Sequence, residues 1–77
     1  MKENNMKVNF QLLCDMNGES EIINYPITMI TTYDSVNLFI KHLENIATEI
    51  LKEHTVVYSL KCNTNFRGKD VCLIANA

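Results

Sequence analysis

A chain of 77 residues, 47% hydrophobic and 21% charged, has room for one domain and the make-up of a folded one, which argues against disorder and a polar low-complexity tail. Its formal net charge of -2, from seven Lys and Arg against nine Asp and Glu, supplies no general positive field for phosphate backbones or anionic lipid. No run approaches the roughly 20 apolar residues that cross a bilayer, and no apolar signal core follows the first lysine, so the expected location is the cytoplasm. Three cysteines, Cys14, Cys62 and Cys72, form no C-x-x-C pair and suit a reducing compartment better than a disulfide scaffold.

Residues 1 to 5 are polar and are expected to be frayed, within a single domain spanning 1 to 77. From Met6 the pattern alternates: Met6, Val8, Phe10, Leu12 and Cys14 share one strand face, and Lys7, Asn9, Gln11, Leu13 and Asp15 share the other. Asn17-Gly18 follows, a strong hairpin signal because a type I′ turn needs positive φ at both central positions. A two-residue loop there pairs positions whose numbers sum to 35, setting Leu12 against Ile23, Phe10 against Tyr25, Val8 against Ile27 and Met6 against Met29. All four pairs are apolar and lie on one face, and a slip of one residue would mix the faces, so turn chemistry and hydrophobic pattern agree. Pro26 falls in the second strand and has no N–H to give, so it is expected on an edge or at a bulge.

The stretch from Asp34 to Glu53 carries Val36, Phe39, Ile40, Leu43, Ile46, Ala47, Ile50 and Leu51 at three-four spacing, one apolar side of a helix. Asp34 or Ser35 can cap its start, and His54 lies near its end, which no glycine marks. Thr55 is expected to open a third strand with Val56, Tyr58, Leu60 and Cys62 on one face and Val57, Ser59, Lys61 and Asn63 on the other. A turn at Phe66-Arg67-Gly68-Lys69 leads into a fourth strand, pairing on a sum of 135 so that Cys62 meets Leu73 and Leu60 meets Ala75.

These elements predict an α+β fold: a two-layer ββαββ unit whose four-stranded antiparallel sheet has the order 2-1-3-4 and one helix packed on one face. The helix is expected to bury Phe39, Leu43, Ile46 and Ile50 against Val8, Phe10, Leu12, Ile27, Tyr58 and Leu60. Its far side leaves a sheet face uncovered. That open face is uncharged for the most part and holds Leu13 opposite Ile22, with Val57 and Ile74 elsewhere, more apolar than a solvated surface requires. Asp15, Glu19 and Glu21 cluster near the first hairpin tip.

Chemistry-bearing constellations are scarce. Cys62 and Cys72 point to opposite faces, and His42 and His54 lie more than three helical turns apart, so no zinc ligand set and no activated thiol is expected. A domain this small offers little cleft in which two carboxylates could do acid-base work. No Gly-rich phosphate loop occurs. The functional expectation is a small non-catalytic protein-binding module without cofactor or metal, acting through Leu13, Ile22, Val57, Ile74, Asp15, Glu19 and Glu21. Its partner would be another protein or a second copy of the chain in a homodimer. Small size, acidity and a Lys-over-Arg bias typical of AT-rich genomes suit an accessory or inhibitor protein of a phage or mobile element that binds a host enzyme. The alternative is a nucleic-acid-binding domain using the open face and the second hairpin, with Phe66 stacking on a base and Arg67, Lys69 and Lys61 meeting phosphate.

Overall fold

The computed structural model describes residues 5–30 and 32–77. Five elements follow in order: β1 (Asn5–Met16), β2 (Glu19–Ile30), α1 (Val36–Glu53), β3 (Val57–Phe66) and β4 (Lys69–Asn76). The strands form one antiparallel sheet, β2-β1-β3-β4, with α1 on one face, the predicted ββαββ arrangement. Pro26 accordingly sits in an edge strand. The fraying expected over the first five residues lies outside the described residues except for Asn5, which opens β1.

Turn chemistry sets both hairpins. In the first, Asn17 (φ 56) and Gly18 (φ 82) both adopt the left-handed region that a type I′ turn demands, and pairing runs from Met16↔Glu19 to Asn5↔Ile30 on the predicted register. In the second, Arg67 (φ 52) and Gly68 (φ 82) do the same, and pairing runs from Phe66↔Lys69 to Ser59↔Asn76. Arginine is not a natural occupant of that region. The neighbouring Asn65 compensates: its Oδ1 accepts from the Gly68 N–H at 3.1 Å while its Nδ2 donates to Asp70 Oδ1 at 3.0 Å, bracing the turn from outside.

Of the two candidate caps, Ser35 is the one used. Its Oγ accepts from the Leu38 N–H at 3.2 Å, satisfying one of the helix's orphan donors. At the other end His54 has left helical geometry, yet its N–H still reaches Ile50 O at 3.0 Å. The Val57 N–H then donates to His54 O at 3.1 Å, so Thr55 and Val56 form a turn and β3 begins at Val57, not at Thr55.

The core between α1 and the sheet contains no buried polar side chain among the described residues. Phe39 and Phe66 stack at its β4 side, ring centroids 4.3 Å apart and 12° from parallel, and Tyr33 meets both rings edge-on. Phe10, Leu43 and Leu60 fill the centre. Because a helix is about 10–12 Å across while four strands span about 14 Å between outer axes, one helix cannot cover the whole sheet. Here α1 lies over β3 and β4. The helix-side face of β2 is left half open, and Ile23, Tyr25 and Ile27 stay partly exposed.

One pairing departs from expectation. β1 and β3 keep a single register through Phe10↔Cys62, Leu12↔Leu60 and Leu13↔Ser59, then shift so that Cys14 pairs with Val57. Tyr58 is the extra residue of a β-bulge. Such a bulge turns consecutive side chains to one face. Val57, expected on the open face, is therefore buried at 2% exposure, and Tyr58, expected in the core, is 39% exposed with its hydroxyl 3.1 Å from Ser20 Oγ across the open face. Both corrections have one cause: valine fits the dry space below the end of α1, while a buried tyrosine would have to find a partner for its O–H.

Candidate protein-binding face

Facing away from α1, the sheet presents rows fixed by the pairings. Ile22, Leu13 and Ser59 form one row, and Asn24, Gln11, Lys61 and Ile74 the next. Asn9 Nδ2 donates to Asn24 Oδ1 at 3.1 Å, tying the neutral polar centre of the face together. Ile22 (66% exposed) and Ile74 (65%) stand out from this surface, and Leu13 beside Ile22 is half-buried. Tyr58, brought over by the bulge, reaches across β1 toward Ser20 and completes an apolar corner with Leu13 and Ile22. Ile74 stands apart on β4, two strands and one row from Leu13.

The acidic residues divide between the faces. Asp15 pairs with Ser20 and belongs to the open face. Glu19 and Glu21 pair with Met16 and Cys14, positions of the helix-side face, so they project from the opposite side of β2. Val57, as shown above, is a core residue. Of the candidate contact residues read from the sequence, Leu13, Ile22, Ile74 and Asp15 share the open face, and Tyr58 joins them there. No local signal marked Tyr58, because the bulge depends on how β3 meets β1 across the whole helical connection.

The second hairpin does not present an aromatic tip. Phe66 is 2% exposed, stacked on Phe39, with the Arg67 guanidinium carbon 5.0 Å from its ring centroid. Its ring has no free face for a base. Lys69 pairs with Phe66 at the tip, whereas Lys61 sits opposite Ile74, about 17 Å along β4 by strand geometry, so these cations do not converge.

Among the described residues, no three of His, Cys, Asp and Glu come together in a way that could hold a metal ion. Cys14 and Cys62 are buried and Cys72 is exposed. Burial pushes the Cys62 thiol above its ordinary pKa, with nearby Cys72 adding in the same direction, so its thiolate is scarce at neutral pH. Iodoacetamide at neutral pH should therefore label one cysteine of the native protein quickly, Cys72, and reach the other two only as the protein unfolds. Peptide mass mapping after partial labelling reads this directly, and early modification of Cys62 would contradict the packing.

One cleft is larger than the sequence suggested. α1 and β2 flank an open groove of ≈ 420 Å³ lined by Tyr25, Ile27, His42, Asn45, Ile46, Glu49, Ile50 and Glu53. It lies on the opposite side of the sheet from the Ile22 corner. Among the described residues no helix is long and apolar enough to cross a membrane.

Comparison with known proteins matches the chain to no family model, no curated protein and no solved structure. Function must therefore be argued from this chain's own geometry.

Proposed function

We propose that this protein is a small non-catalytic binding module whose open sheet face contacts another protein through the Leu13, Ile22 and Tyr58 corner. The observation that carries the reading is the bulge: it places a tyrosine on the solvent face beside an isoleucine that is 66% exposed. Contacts between proteins concentrate their free energy in a few such anchors, tyrosine prominent among them, ringed by polar groups that exclude water. Ser20, Asn24, Gln11 and Lys61 supply that ring here. Small size, acidity and the Lys-over-Arg bias support extending the proposal to an accessory or inhibitor protein of a phage or mobile element that acts on a host enzyme.

The test compares tagged wild-type protein with Ile22→Lys in a pull-down from the native host, each with and without nuclease. Ile22 is exposed, so the substitution leaves the core intact. Wild type is expected to retain a stoichiometric protein after nuclease treatment, and Ile22→Lys to lose it. Equal recovery by both forms would refute the corner as the contact, and loss of every partner on nuclease treatment would refute protein binding in favour of nucleic acid. Sedimentation of the purified protein identifies the homodimer case, in which wild type has twice the mass of Ile22→Lys.

A further inference from the structure

On the helix side of the sheet, β2 bears in alternation Glu19, Glu21, Ile23, Tyr25 and Ile27, running inward from the hairpin tip. Across the groove from this row stands one flank of α1. At 100° per residue, Leu38, His42, Asn45, Ile46, Glu49 and Glu53 fall on that flank, while Lys41 and Lys52 turn farther toward solvent. The trough between has an apolar floor of Ile27, Tyr25, Ile46 and Ile50. Glu49 and Glu53 form its helical lip, and Glu21 lies beyond Ile23 at its open end. Among the described residues, no lysine or arginine lines it.

From this juxtaposition we infer that the groove between α1 and β2 receives an amphipathic, Lys- or Arg-bearing helix of another protein. Shape and charge lead to the same occupant. A lip from His42 to Glu53 extends about 17 Å, three helical turns, and a second helix beside the first is how a two-layer sheet with half a face exposed completes its core. Such a helix would set its apolar stripe on Ile23, Tyr25, Ile27 and Ile46 and bring its cations to Glu49, Glu53 and Glu21, the helix-in-groove mode of recognition. A second copy of this chain is a poor occupant, because the outward side of α1 shows Lys41, Glu44, Thr48 and Lys52 and no apolar stripe. The inference does not depend on the Ile22 corner, which lies on the other face.

The experiment titrates the full chain, labelled at isoleucine methyl groups, with synthetic helical peptides of about four turns at physiological salt. One peptide carries leucines at three-four spacing among lysines, a second replaces every lysine by glutamate, and a third scrambles the first. The lysine peptide is expected to shift the Ile23, Ile27 and Ile46 methyl signals saturably and leave those of Ile22 and Ile74 in place. Glu49→Lys combined with Glu53→Lys, both exposed substitutions, should weaken that binding by about tenfold or more. The glutamate and scrambled peptides should not saturate. Binding by the glutamate peptide, unchanged affinity in the double variant, shifts confined to Ile22 and Ile74, or no saturable shift would each overturn the inference. Groove shifts that appear on raising protein concentration without peptide would also overturn it, by showing a second copy in the groove.

Discussion

Phe66→Ala is expected to lower the free energy of unfolding by about 3 to 5 kcal/mol, the usual result of truncating a fully buried phenylalanine. A domain of this length has about 4 to 12 kcal/mol in all, so the variant should be partly unfolded at room temperature or lose most of its urea resistance. The loss has a specific structural content. The ring stacks on Phe39 at 4.3 Å, meets Tyr33 edge-on and closes the core beside the β3–β4 turn, so its removal opens a cavity that these two aromatic neighbours cannot collapse into without leaving their own packing. Arg67→Ala serves as the control. It removes only a cation over the same ring, which should cost about 0.5 to 1 kcal/mol. Urea denaturation followed by circular dichroism measures both. An unfolding free energy for Phe66→Ala within about 1 kcal/mol of wild type would mean that Phe66 is not the core residue that its 2% exposure makes it.

How far the sequence could be read depended on how local each constraint is. Asn17-Gly18 fixes the β1–β2 register within two residues of chain, and the alternation on both sides of it agrees, so all four apolar pairs were legible. Arg67-Gly68 is a weaker signal, yet the hydrophobic pattern was enough to set the pairing sum, with Asn65 supplying the bracing that arginine lacks. Helix periodicity marked α1 to within two residues of its start. The strand order then followed from the helix returning the chain, so that strands one and three join the hairpins in a fully antiparallel sheet, which also leaves Pro26 on an edge.

What could not be read is what joins distant segments. β3 meets β1 only after α1 has returned the chain, with no tight turn to set the register, and there the bulge exchanged Val57 and Tyr58 between faces. Phe66 differs from expectation for a related reason. Its position beside a turn suggested a tip, whereas alternation from Leu60 and Cys62 puts it on the core face, below the first turns of α1. The α1–β2 groove was hidden because amphipathicity shows which side of a helix is buried but not which strands it covers. Asp15, Glu19 and Glu21 do lie near one hairpin tip, but strand alternation turns Asp15 to one face and the two glutamates to the other.

Val57→Asp and Tyr58→Asp form a pair whose outcomes depend on the bulge, and they are expected to diverge sharply. Val57 is 2% exposed, so an aspartate there must either hold an unpaired charge in an apolar core or take up a proton, at a cost of roughly 3 kcal/mol or more, and the domain should unfold at neutral pH. Tyr58 is 39% exposed on the open face, and among the described residues its hydroxyl meets Ser20 alone, so Tyr58→Asp should lose about 1 kcal/mol and stay folded. Regular alternation through β3 makes the opposite forecast: Val57→Asp would be a tolerated surface change, and Tyr58→Asp would destroy the core. Thermal melts of the two variants decide between the registers, since no uniform strand can tolerate the second and reject the first. The folded variant then bears on function as well. Tyr58→Asp places a charge in the Leu13 and Ile22 corner without disturbing the core, so loss of the partner by this stably folded protein would trace the contact to the residue that the bulge turned outward.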